Sequence, residues 1–319
     1  MPTGQHTPTI QAAQRRNSDQ FAEIKPSRGH VAMLTFSMLV SLSFSLGGLV
    51  ASDISPSALT AIRFAIALAL LFAIMRVLAV PIGPALHGFP RFAIVGGLMA
   101  VYFITMFEAL AITTPVATSA VFTLTPLMAA GFGLVLVQQK SGSWTLSALV
   151  IGAFGALWVI FRADISAFIA LDIGRGELIF LVGALAHASV PALLRKLGRG
   201  ELPLQSTFAT ILGALILTTL YAAPALIKTD FMAVRPLVWL VILYLAIFTT
   251  AASFFLLQFA NRHLPASKVM AYTYLVPSWV VLWEFLLHGT TQPTILMVGV
   301  FATLAALLML LRGAESERK

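Results

Sequence analysis

The sequence predicts an all-α integral membrane protein of ten transmembrane helices in two related halves. Three observations carry this. Hydrophobic residues make up 59% of the 319-residue chain and charged residues only 10%, against about 25% charged in soluble domains, too few to cover a soluble surface. Ten apolar runs of 19 to 25 residues follow one another, each near the ~20 residues a helix needs to cross the hydrocarbon core. Two stretches about 150 residues apart echo each other: Glu108 to Pro115 with Thr123 to Pro126, and Gln258 to Pro265 with Tyr274 to Pro277.

The runs are 30–50, 57–79, 91–112, 115–138, 144–162, 174–195, 204–226, 236–260, 265–287 and 293–311. Helices are preferred to strands because backbone groups in lipid must bond within their own segment. The first run follows a polar stretch rich in Gln, Pro and Ser, read as a disordered tail over 1–29 that ends in a basic collar and contains no signal-peptide core. The second run follows Pro56 and encloses Arg63. Only Thr113 and Thr114 separate the third from the fourth, so that hairpin is tight. The fifth and tenth carry small residues at four-residue spacing, Gly152/Ala156 and Ala302/Ala306, which permit close helix contact. The fourth and ninth contain Pro126 and Pro277, each of which frees a carbonyl and invites a kink. Kinks at equivalent places suit a rocking carrier; static bends that shape the bundle explain them as well. A short tail, 312–319, closes the chain.

Charge counting orients the bundle. Fifteen Lys/Arg fall on the side of the N-terminus and four (Arg162, Arg175, Lys228, Arg235) on the other, with Arg63 inside a span. This bias predicts both termini in the cytoplasm, which an even number of spans requires. The net charge of +8 therefore reports topology rather than nucleic-acid binding. There is no cysteine, so disulfide and thiol chemistry are excluded. No phosphate loop, metal-binding His-Glu-x-x-His or nucleophile elbow is present; the sequence points to no enzyme, no cofactor and no metal.

Echoing halves in a membrane protein point to a transporter with its site between them. Intramembrane polar residues are the functional candidates, because each is costly in lipid. Glu108 shares a helix face with Thr105 and Ile112, with Tyr102 to one side. Glu284 aligns with Thr273, Pro277 and His288, and His187 with Phe180, Gly183 and Pro191. These stripes either line a cavity, where a carboxylate can exchange protons, or bond neighbouring helices. Arg63 is open to three readings: contact with a substrate anion, a pair with Asp53, or an outward-reaching side chain. Gln258 takes Glu108's place in the other half. Tyr274 and Trp279, with Phe107, Phe122 and Tyr272, either line an apolar cavity or pack, and as a set they favour an organic substrate over a bare ion.

Pro56 leading to Arg63-Phe64, Tyr102 through Ala111, Pro126, Gly152 through Gly155, Ala271 through Pro277 and Gly299 through Leu308 resemble the drug/metabolite transporter (DMT) superfamily, in particular its EamA-type members. The resemblance covers residues 30–311. It implies two inverted five-helix repeats, 30–162 and 174–311, in which helices one to four and six to nine line a central cavity while five and ten support them. It also implies a secondary transporter of small organic metabolites such as amino acids, working as an exporter in the cell membrane. Where such repeats often carry Gly-Glu at the end of their fourth and ninth helices, this chain has Gln138-Gln139 and Gly289-Thr290. A channel-like facilitator, a non-transporting receptor and an intramembrane enzyme are the alternatives. Proton coupling is a further expectation.

Overall fold

The structure, a computed structural model, describes residues 26–139, 141–161, 163–170 and 173–316. Most of the expected tail, together with Lys140, Arg162 and residues 317–319, lies outside the described residues. Among the described residues, ten helices are long and apolar enough to cross a membrane: α1 (Ser27–Val50), α2 (Pro56–Val77), α3 (Phe89–Leu110), α4 (Pro115–Val137), α5 (Ser143–Ile160), α6 (Arg175–Leu197), α7 (Pro203–Lys228), α8 (Pro236–Asn261), α9 (Lys268–His288) and α10 (Thr294–Arg312). No strand occurs among the described residues.

Prolines open five of these helices or sit in their first turn (Pro56, Pro90, Pro115, Pro203, Pro236), where the missing N–H costs nothing. Thr114 caps α4, its hydroxyl accepting from Ala117 N at 3.2 Å. Both expected prolines mark breaks. α4 is helical over Pro115–Phe122 and again over Thr125–Val137, and α9 passes through a 3-10 turn, Tyr272–Leu275, before Val276–His288. The broken helices meet where Thr125 and Thr273 share a hydrogen bond of 3.0 Å. Both also end on a left-handed residue, Gln138 (φ 55°) and Gly289 (φ 64°). α8 carries a π-turn, Ile247–Ala252, which the apolar pattern did not announce.

The halves interlock by exchange. α6 packs on α3 and α4 of the first half, and α1 packs on α8 and α9 of the second. α5 and α10 pack chiefly on each other. At that crossing, a Cβ on Gly155 would stand 2.6 Å from the Gly299 carbonyl, and one on Gly299 as close to that of Gly155. The close contact therefore runs through Gly155 and Gly299, beside Ala156 and Ala302 of the small residues singled out in the sequence. Two indoles fasten the ends, Trp144 Nε1 donating to Met309 O (2.8 Å) and Trp158 Nε1 to Ile295 O (2.9 Å).

Candidate functional site

Arg63 is the most constrained polar residue of the bundle. It is fully buried, and no carboxylate pairs with it among the described residues. Its guanidinium faces the π-turn of α8. Nε donates to Thr250 Oγ1 (3.0 Å), and Nη2 to Thr249 Oγ1 (2.9 Å), Thr250 Oγ1 (2.7 Å) and Leu245 O (3.4 Å). Both threonines spend their own protons on Leu245 O, at 3.0 and 2.8 Å, so their oxygens are left as acceptors for the arginine. The Phe103 ring lies beneath the guanidinium, 3.8 Å from its carbon, a contact that contributes about 2 kcal/mol when desolvated. Nη1 has no partner. The expected alternative of an Arg63–Asp53 pair is not formed, because Asp53 is bound to Arg235.

From Phe103 the cluster continues into the bundle. The Tyr102 ring is 4.6 Å from that of Phe103 and 4.5 Å from His187, which also meets Phe122 (5.1 Å) and Phe36 (6.5 Å). Gly183, one turn before His187, makes this approach possible: a Cβ there would fall 2.1 Å from Thr105 Oγ1 and 3.2 Å from Tyr102 Cα. Tyr102 and His187 are only 2% and 3% exposed. Arg63 Nη1, Tyr102 Oη and His187 Nδ1, on three different helices, are all buried without a protein partner. Buried polar atoms are almost always bonded, so three unpartnered ones in one aromatic cluster stand out.

The other candidates lie elsewhere. Glu108 is partly buried and borders a lateral groove of about 490 Å³ between α3 and α7 with Thr105, Leu217 and Tyr221. Gln258 is buried, its Nε2 unpartnered, in a cleft of about 320 Å³ lined also by Arg195, Glu201, Asn261 and Arg262. Tyr274 is fully buried against Gly152 of α5 and donates to Leu149 O at 3.2 Å. Trp279 Nε1 donates to Ser37 Oγ of α1 at 3.3 Å, and one turn on Trp283 Nε1 donates to Ser41 Oγ at 2.9 Å. Glu284 is buried near the end of α9, with Oε1 unpartnered and Oε2 4.0 Å from His288 Nε2. The structure thus joins Arg63 to His187 through Tyr102, and gives Glu108, Gln258, Tyr274, Trp279 and Glu284 separate surroundings.

Sequence reasoning passed over Tyr102, because it lies off the Glu108 face, and Thr249 and Thr250, which read as helix filler. It also passed over Glu177, buried at the start of α6 and accepting from Thr113 Oγ1 at 2.9 Å. At the face carrying Arg91 and Arg195, Arg91 holds Glu201 at 2.6 Å. Burial alone would raise the Glu201 pKa. The Arg199 N–H (2.7 Å) and the Arg91 guanidinium outweigh it and hold the carboxyl below its ordinary value.

Comparison with known proteins agrees with this architecture. A solved structure, described as a crystal structure of protein, matches with a TM-score of 0.67 at 17% identity, over 89% of this chain and 95% of its own. A Bacillus subtilis (strain 168) protein named uncharacterized transporter YyaM is 24% identical over 288 residues, 88% of this chain and 91% of its own length. One family profile, the EamA-like transporter family, matches twice, at residues 27–161 and 174–312. With nearly the whole membrane bundle covered by two copies of that profile, the chain belongs to the EamA-like transporter family of the DMT superfamily.

Proposed function

We propose that this membrane transporter is a secondary carrier that binds small organic metabolites bearing an anionic group, amino acids among them, at the cluster of Arg63, Tyr102 and His187. The carrying observation is a fully buried guanidinium that has, among the described residues, no carboxylate partner and an unpartnered Nη1. An unpaired buried ion costs several kcal/mol, and three neutral acceptors with one aromatic face offset part of that. A substrate carboxylate at Nη1 completes the set through a charge-assisted hydrogen bond. Tyr102 Oη and His187 Nδ1 supply further polar contacts, and the surrounding phenylalanines receive the apolar remainder.

The interlocked packing of the two halves supports alternating access between them, and the charge bias supports cytoplasmic termini. Export is the direction the family resemblance implies. Glu108 borders the lateral groove between α3 and α7, apart from the Arg63 cluster. Gln258 stands in a cleft at the basic face, and Tyr274 and Trp279 act as packing residues of α9.

The test is thermal unfolding of the purified protein against a metabolite library. A ligand at 100 times its Kd stabilises by about 2.7 kcal/mol. Carboxylate-bearing metabolites are expected to raise the melting temperature of the wild type and not that of Arg63→Gln. Stabilisation confined to uncharged or cationic compounds, or retained in full by Arg63→Gln, contradicts the proposal.

A further inference from the structure

Two ion pairs stand at opposite ends of the bundle and are built alike. At one end, Arg235, immediately before α8, binds Asp53 through Nη2 and Nε (the latter at 3.1 Å), and its Nη2 also donates to Leu49 O at 3.3 Å. At the other, Arg91 in the first turn of α3 binds Glu201 at 2.6 Å, and its Nη1 donates to Leu197 O at 2.5 Å. In both, the carbonyl belongs to the last turn of a helix, α1 or α6. In both, the acid follows four residues later, and a proline (Pro56 or Pro203) soon opens the next helix. α6 holds in the second half the place of α1 in the first, and α8 the place of α3. Each network therefore ties an acid and a carbonyl of one half to an arginine of the other. The exchange that relates the halves relates the two networks.

We propose that Arg91–Glu201 and Arg235–Asp53 are paired latches that close the two mouths of the transport path, and that transport opens them one at a time. When two packed halves rock, contacts that cross between them at one face must part while those at the other persist. Both networks cross between halves, and both are made here, in a conformation where Arg63 and His187 are sealed from solvent. Their strength fits the task. Partly exposed ion pairs contribute little individually, so either can break thermally. Arg91 and Glu201 have side chains 21% and 8% exposed, against 57% and 24% for Arg235 and Asp53, so the Arg91 latch is the firmer. It also borders the cleft that holds the unpartnered Gln258 amide, where a substrate passing this mouth would first meet buried polar atoms.

The latches rest on the transporter reading, but their test needs no substrate. The chain has no cysteine, so single reporters are clean. Ser206→Cys lies in the cleft beside Glu201, and Ser57→Cys lies on the first turn of α2 near Asp53; both serines are buried. A membrane-impermeant thiol reagent is applied to either face of membrane vesicles. Glu201→Gln is expected to speed labelling of the Ser206→Cys reporter by up to about fivefold, the population change one such pair can carry, while slowing that of the Ser57→Cys reporter. Asp53→Asn is expected to do the reverse. The double exchange Arg91→Glu with Glu201→Arg restores slow labelling at its own face. Where Glu201→Gln does not fold, Arg91→Lys, which keeps the charge and loses the fork, is expected to shift labelling in the same direction. Faster labelling at both faces together, or no change at either, overturns the proposal. Either result leaves the ligand-binding test of Arg63 standing on its own, and a failure at Arg63 leaves the labelling result equally readable.

Discussion

At the scale of the residue, Arg63 joins three features that are separate in the chain: a lone basic residue in an apolar span, an aromatic next turn on α3 and a π-turn on α8. Thr249 and Thr250 have their protons committed to Leu245 O, so each serves Arg63 as an acceptor only. Thr250→Val removes the acceptor of two guanidinium donors and is expected to cost about 1–3 kcal/mol, read as a lower melting temperature in detergent. Thr250→Ser, which keeps the hydroxyl, is expected to recover most of it; a loss in Thr250→Ser with none in Thr250→Val would mean that methyl packing, not the hydrogen bonds, holds the site. Glu108→Gln serves as the contrast: from its groove it is expected to leave carboxylate-induced stabilisation unchanged. Arg63 and His187 were visible in the sequence as costly residues in apolar spans. Their link through Tyr102 was not, since a tyrosine at a helical position reads as ordinary packing until Gly183 is seen to bring α6 against it.

At the scale of the element, the helices were legible almost to their ends, because a run of some 20 apolar residues has no other stable home than a membrane-spanning helix. The breaks at Pro126 and Pro277 were legible for the same elementary reason: a ring in place of an N–H. The π-turn of α8 was not, because nothing in Ile247–Ala252 forbids a plain helix and its stabilising partner sits on α2. Nor was the choice of Gly155 and Gly299 as the α5–α10 contact, which depends on helix rotation rather than on spacing. Gly155→Ala is expected to force the Gly299 backbone away and cost about 1–3 kcal/mol as overpacking does; a melting temperature equal to the wild type would show that the crossing has slack. Gly152→Ala makes a similar demand on Tyr274, whose ring stands 2.2 Å from the added atom.

At the scale of the whole molecule, the two halves are held by contacts between residues far apart in the chain. Asp53 and Arg235 are separated by 182 positions, and Arg91 and Glu201 by 110. In the sequence these charges are indistinguishable from topology signals, which is why the charge bias was legible and the pairing was not. Glu201 adds a pH dependence. Its carboxyl is held below its ordinary value, so the folded protein binds fewer protons there than the unfolded chain. The stability it contributes is fully present above the ordinary glutamate range and is lost as pH falls through the lowered folded value. The melting difference between wild type and Glu201→Gln is therefore expected to be constant from neutral pH down to that range and to vanish only below it; a difference that disappears near neutrality would assign it to another group. The fold predicts that reporters at positions 198 and 230 label from opposite faces, and the charge bias predicts that 198 labels from the cytoplasm. Labelling of both from one face would undo the ten-helix topology.

The central claim, a carrier whose buried arginine holds an anionic substrate between two inverted halves, is tested most directly by counterflow. Proteoliposomes are loaded with an unlabelled amino-acid mixture and diluted into labelled substrate. Wild-type protein is expected to accumulate label transiently above its equilibrium level, with saturation, and Arg63→Gln to lose this for carboxylate-bearing substrates. A linear, unsaturable influx without overshoot, or an overshoot that Arg63→Gln retains in full, would contradict the account.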